Sequence, residues 1–208
     1  MMNKDFYKFN RQWDVFGTTV GYQQYIDNRN KNLTNFSRVF EVLKMTGGNL
    51  KNKRLIEFGC GYGSLTEKLV KKVSFVHGVD FSQNLIRKAE YRLKNTPNFA
   101  VSKIIRDFSI LTDLSANVVL AVSILEHLPE DMAKRVIQDA RRVLKRGGHL
   151  IIRLPLEPKH KVVYNEFIPA LDTVYWTIEE VEKMAKEYKY EYVASIGFYS
   201  IFKKIGEI

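Results

Sequence analysis

The 208 residues are 45% hydrophobic and 27% charged, which suits one α/β core with a small appendage. No apolar run approaches the ~20 residues that span a bilayer, and the start, Met1-Met2-Asn3-Lys4-Asp5, lacks the apolar stretch of a signal peptide. The single cysteine, Cys60, excludes an intramolecular disulfide and fits a reducing cytoplasm. The net charge of +10 gathers at the front: residues 1–54 carry 10 Lys/Arg against 4 Asp/Glu, whereas residues 121–208 carry 14 against 13. A basic front end either attracts phosphates of nucleic acid or lipid or is simply a solvated surface.

Residues 1–32 are rich in aromatic and polar side chains, among them Phe6, Tyr7, Phe9, Trp13, Phe16, Tyr22 and Tyr25. Gly17 and Gly21 interrupt any long helix there. The segment reads as an irregular or helical cap, with its aromatics either packed on the domain or closing over a pocket. Leu33 to Lys44 follows with Phe36, Val39, Phe40 and Leu43 at helical spacing. Asn32 or Thr34 suits its N-cap, and Thr46-Gly47-Gly48 ends it.

The next stretch organises the chain. Leu55, Ile56 and Phe58 form a short apolar run that ends in Gly59, Gly61 and Gly63, and Leu65, Leu69 and Val70 then recur at helical spacing. This predicts a buried strand, a tight loop and a helix start with free N–H groups and a positive dipole end. A dinucleotide fingerprint would need glycine at position 64, which is Ser64, and no Gly-Lys-Ser/Thr follows to make a P-loop. Ser74 to Asp80 is the second strand. Asp80 lies at its end, where a carboxylate can accept hydrogen bonds from two vicinal ribose hydroxyls. Ser82 caps a helix over Gln83–Leu93, whose inner face is Leu85, Ile86, Ala89 and Leu93. His77 reads as a strand residue. Asn98 to Arg106 is a third strand, and Val118 to Ser123, apolar almost throughout, is a fourth, buried on both faces.

Glu57-x-Gly59-x-Gly61-x-Gly63, Asp80-Phe81 and Leu125-Glu126-His127-Leu128-Pro129 together resemble motifs of the class I S-adenosylmethionine-dependent methyltransferases, as does the block from Arg142 to Ile152. The resemblance covers roughly residues 50–205. It implies a Rossmann-like, doubly wound α/β fold: a mostly parallel sheet with helices on both faces and a C-terminal antiparallel hairpin. It implies S-adenosyl-L-methionine as cofactor, with residues 1–50 as an N-terminal helical cap or lid and residues 51–208 as the cofactor-binding domain. By the same resemblance Glu57, Gly59, Cys60, Gly61, Gly63 and main-chain groups of Ala121, Val122 and Ser123 hold the methionine end. Asp80 and Phe81 hold the ribose, and Asp107 and Phe108 the adenine.

His127 is either a general base for the acceptor's proton, since imidazole exchanges protons near neutral pH, or a residue that orients its loop. Some relatives carry Glu-x-x-Glu-His here and bind a divalent metal, but this chain has Ser123 at the first position and lacks that hard oxygen ligand, so no metal is expected. The amino-methyltransferase motif Asp/Asn-Pro-Pro-Tyr and a Pro-Cys nucleophile for cytosine C5 chemistry are both absent, which argues against those two classes of nucleic-acid base methylation. The expected acceptor is a small molecule with an oxygen or nitrogen nucleophile. An RNA or phospholipid acceptor on the basic front, or a non-catalytic binding module, are the alternatives. Oligomeric state is not written in the pattern.

Glu130 to Lys145 reads as a helix, with Lys145 and Arg146 at its negative end and Gly147-Gly148 stopping it. His149 to Leu154 is a fifth strand, and Pro155 to Tyr175 a connector in which His160, Lys161, Tyr164 and Asn165 are candidate acceptor contacts. Thr177 with Glu180 forms a capping box for the last helix. Tyr190–Ser195 and Phe198–Ile205 make a closing hairpin around Gly197.

Overall fold

The structure, a computed structural model, describes residues 11–15, 36–104, 109–164 and 172–206. A seven-stranded sheet runs in the order β3-β2-β1-β4-β5-β9-β8. The strands are β1 (Arg54–Phe58), β2 (Phe75–Asp80), β3 (Phe99–Lys103), β4 (Ala116–Val122), β5 (Leu144–Arg153), β8 (Tyr190–Ile196) and β9 (Tyr199–Lys204). The first five are parallel, and β9 and β8 return antiparallel at the far edge. This is the expected fold class. The helices are α1 (Phe36–Met45), α2 (Thr66–Leu69), α3 (Gln83–Leu93), α4 (Glu130–Val143) and α5 (Ile178–Glu187). Residues 11–15 are also helical.

The period of two in each central strand feeds two cores. Ile56 and Phe58, Val119 and Ala121, and Leu150 and Ile152 enter one cluster with α4 and α5. Leu55, Val118, Leu120 and Ile151 enter the other, with Val39, Val42 and Leu43 of α1 and Leu65 and Leu69. Helix α3 starts where expected, with Ser82 Oγ accepting from the Leu85 N–H. The capping box of Thr177 and Glu180 opens α5.

Three elements differ from expectation. The helix after the glycine loop is a single turn, Thr66–Leu69, so little macrodipole stands behind the loop. Helix α4 ends at Val143, before the glycines. Leu144 is fully buried and already pairs with Ala116, and the register then shifts before Val118 meets His149. The residues between, including Lys145, Arg146 and Gly147 (φ 67°), form the irregular entry to β5 rather than a helix end. The connector after β5 holds a second, two-stranded antiparallel sheet, β6 (Lys161–Val163) with β7 (Thr173–Tyr175).

The strand order reverses between β1 and β4. In doubly wound sheets such a switch point marks the ligand crevice, at the carboxyl ends of the parallel strands.

Candidate active site

The glycine loop leaves β1 at this crevice and is fastened to β2. The N–H groups of Gly59 and Cys60 donate to the Val79 carbonyl at 2.8 and 3.1 Å. Gly61 N–H donates to Asp80 Oδ2 at 2.9 Å, and Ser82 N–H donates to Asp80 Oδ1 at 2.9 Å. Gly59, Gly61 and Gly63 all have positive φ, at 67°, 56° and 82°. A Cβ at Gly59 would stand 2.1 Å from Ile124 Cγ2, and one at Gly63 would meet Leu93 Cδ1 at 3.1 Å. These two glycines therefore have a packing reason within the protein: Gly59 admits Ile124, in the turn after β4, and Gly63 admits α3. Arg92 of α3 stacks over the Tyr62 ring at 4.7 Å and pairs with Glu67 at 2.8 Å, which holds the loop's outer side.

Burial sets the charge of the acids. Glu57 is buried in β1 and accepts from Thr66 Oγ1 at 2.5 Å. Burial raises its pKa to about 8, against the opposing Thr66 hydrogen bond, so it is mainly neutral at pH 7. Asp80 is raised by burial to about 6, opposed by N–H bonds from Ser82, Gly61 and Phe81 and reinforced by the nearby Asp14. It is an anion at neutral pH. The Cys60 thiol is buried against Gly78, and burial holds its pKa well above the ordinary value. Phe81, half-buried, packs at the edge of the α4–α5 core.

Across the switch point, Ala121 pairs with Phe58 and Val122 with Arg153. Ser123 is buried with φ 54°, and its N–H donates to the Arg153 carbonyl at 2.8 Å. Its hydroxyl accepts from the Arg153 guanidinium. Leu125–His127 then form a 3-10 turn with Leu125 and Glu126 buried. His127 Nδ1 lies 3.0 Å from the Asp172 carbonyl oxygen, which only accepts, so Nδ1 carries the proton and Nε2 is the free lone pair of the neutral ring.

The helical residues 11–15 bridge the two sides. The Trp13 ring meets the His127 ring edge-on at 5.7 Å. Asp14 Oδ1 accepts from Ser82 Oγ at 2.7 Å and from Asn84 N–H at 3.3 Å, and the Asp14 carbonyl accepts from Asn84 Nδ2 at 3.1 Å. Asp14, Asn84 and Arg153 were not singled out from sequence. Only the resemblance of β4's end could have drawn attention to Arg153, because its partner Ser123 is 30 residues away.

Asp107, Phe108 and Asn165 lie outside the described residues, as does most of the expected cap. Of the other connector candidates, His160 Nδ1 pairs with Glu180 at 3.0 Å, Lys161 pairs with Glu157, and Tyr164 is exposed. His77 is a strand residue bonded to Ser102 Oγ at 2.9 Å. Lys51, Lys53 and Arg54, at and just before the start of β1, sit at the opposite, amino end of the sheet. Lys53 Nζ donates to Thr46, Lys51 Nζ to the Lys71 carbonyl, and Arg54 stacks on Phe75.

Residues 55–148 match the family model described as "Methyltransferase domain". A 1,6-didemethyltoxoflavin-N1-methyltransferase of Burkholderia thailandensis, solved with bound 1,6-didemethyltoxoflavin and S-adenosylhomocysteine, superposes with a TM-score of 0.75 over 99% of this chain and 92% of its own, at 13% identity. The fold is that of the S-adenosylmethionine-dependent methyltransferases. Another with this fold, from Methanosarcina mazei, matches at TM-score 0.66 and 16% identity over 80% of this chain and 98% of its own. By sequence, the ubiquinone biosynthesis O-methyltransferase of Coxiella burnetii is 32% identical over 103 residues, 49% of this chain and 43% of that protein. That of Histophilus somni is 22% identical over 66% of this chain and 67% of its own. The chain thus spans less than half the length of the first curated relatives it matches. Among the described residues no helix is long and apolar enough to cross a membrane, and no three His, Cys, Asp or Glu residues gather as a metal site.

Proposed function

We propose that the protein is an S-adenosylmethionine-dependent methyltransferase whose acceptor is a small molecule with an oxygen or nitrogen nucleophile. The observation that carries the reading is the Asp80 carboxylate at the end of β2, aligned by the Gly61 and Ser82 N–H groups beside a loop of positive-φ glycines. A half-buried anion with oxygens already oriented fits the paired hydroxyls of a ribose. The cofactor, when bound, supplies a methyl group made electrophilic by its sulfonium.

The chain's own part is alignment and proton handling. Gly59, Cys60, Gly61 and Gly63 and the main chain of Ala121, Val122 and Ser123 flank the amino-acid end, with Glu57 beneath as a neutral acid. Phe81 borders the ribose, and Asp107 and Phe108 take the adenine. His127 holds its own proton at Nδ1 on the Asp172 carbonyl and offers Nε2 to the acceptor's proton. Trp13 meets the same ring edge-on, which supports a lid role for the N-terminal segment. A small acceptor is favoured over RNA because Lys51, Lys53 and Arg54 serve the amino end of the sheet, away from this crevice. The relatives named as ubiquinone O-methyltransferases support an oxygen acceptor.

Calorimetric titration with S-adenosylmethionine tests the reading, with NAD as control. Wild type is expected to bind in the micromolar range, Asp80→Ala about tenfold or more weaker, and His127→Ala like wild type while losing turnover. Absence of binding to folded wild-type protein would overturn it.

A further inference from the structure

We propose that Arg153 is the binding group for a carboxylate of the bound ligands, either the amino-acid carboxylate of the cofactor or an acid group on the acceptor. The proposal rests on the methyltransferase reading of this same crevice. Arg153 is the last residue of β5, and its main chain is bonded to Ser123 just past the end of β4. Its side chain folds back over that junction, so the guanidinium sits on the Ser123 hydroxyl at the carboxyl ends of two parallel strands. Ligands of doubly wound sheets bind at that place.

The guanidinium is half-buried, and its carbon lies 5.6 Å from the centroid of the Phe198 ring. Among the described residues no carboxylate pairs with it. The other half-buried or buried arginines of the sheet region are spent on protein acceptors: Arg141 donates to the carbonyls of Lys189 and Ile205, and Arg142 to Asp113, Asp139 and the Leu111 carbonyl. A guanidinium carries five donors in a planar fork matched to a carboxylate. Among the described residues a hydroxyl accepts one of them and an aromatic ring lies beside the group, which leaves the rest of the fork for an anion. Ser123 then acts as a positioning residue, since its left-handed backbone (φ 54°) brings the hydroxyl under the arginine.

The test measures binding of S-adenosylmethionine and of its decarboxylated analogue to wild type, Arg153→Gln, Arg153→Lys and the exposed charge control Arg135→Gln. A panel of aromatic acids and their neutral counterparts is then screened as methyl acceptors. If the cofactor is the source, Arg153→Gln binds S-adenosylmethionine at least about tenfold more weakly, the analogue equally well, and Arg153→Lys recovers only part. If the acceptor is the source, cofactor affinities match wild type and methylation of acids, but not of neutral counterparts, falls in Arg153→Gln. Equal cofactor affinities together with no acid whose methylation depends on Arg153 overturn the proposal. Failure of wild type to bind S-adenosylmethionine at all is a separate result that removes the underlying reading.

Discussion

The two sides of the switch point are built by different means. On the β1–β2 side the loop is fastened chiefly through its own main chain: its N–H groups donate to the Val79 carbonyl and the Asp80 carboxylate, and its glycines hold a left-handed backbone. On the β4–β5 side they are long-range contacts of side chains: His127 on Asp172, Arg153 on Ser123, and Trp13 on His127. Main-chain construction fixes one ligand geometry and tolerates few residue types. Side-chain construction can be changed residue by residue. A cofactor common to a family belongs with the first and a variable acceptor with the second.

Gly59 is where the sides touch, and Gly59→Ala strikes that contact. The new methyl would stand 2.1 Å from Ile124 Cγ2 in a backbone with φ 67°. Left-handed strain and overpacking together should cost about 2–5 kcal/mol of stability. Urea unfolding of Gly59→Ala, alone and with Ile124→Ala, measures it. Recovery in the double variant assigns the loss to the pair, and an unchanged midpoint in the single variant would mean that the sides are not packed together.

Glu57→Gln sharpens the contrast from the main-chain side. The Glu57 carboxyl titrates at about 8 in the fold against an ordinary 4.5. Between those values the native state holds a proton that the unfolded chain has released, so stability falls as pH rises, by up to about 1.4 kcal/mol per pH unit. Glutamine keeps an acceptor for Thr66 and removes the titration. The variant should match wild type near pH 5 and exceed it at pH 8. Equal slopes in both proteins, followed by denaturant unfolding across that range, would contradict the assignment.

Asp14→Ala gives the smallest effect and reaches both sides. It removes a cap contact at Ser82 and Asn84, with a stability loss of about 1 kcal/mol. It also removes a like charge near Asp80, whose pKa is about 6; on the proposed function, cofactor affinity should fall on acidification through that value. The midpoint of that fall should move to lower pH in calorimetric titrations. A midpoint that stays in place would separate the N-terminal segment from the cofactor side.

Legibility in the sequence follows the same division. The glycine loop, Asp80, the Ser82 cap and the central strands were readable because each is specified by neighbours in sequence. The C-terminal hairpin and the Thr177–Glu180 capping box were readable for the same reason. Helix α4 ends earlier than its pattern predicts because Leu144 is claimed by the sheet, a tertiary demand stronger than the stop signal of Gly147-Gly148. The β6–β7 ribbon was missed because three-residue strands leave no periodicity. Asp14 with Ser82 and Arg153 with Ser123 pair across 68 and 30 residues, and no local pattern announces such partners.

The chain's one thiol lies beneath the loop, between its backbone and Gly78. A thiol reagent can reach Cys60 only when that loop lifts from the sheet, so the labelling rate counts openings of the segment that would hold the cofactor. A single buried sulfur atom thus serves as a stopwatch for the site, running slower whenever a ligand keeps the loop shut.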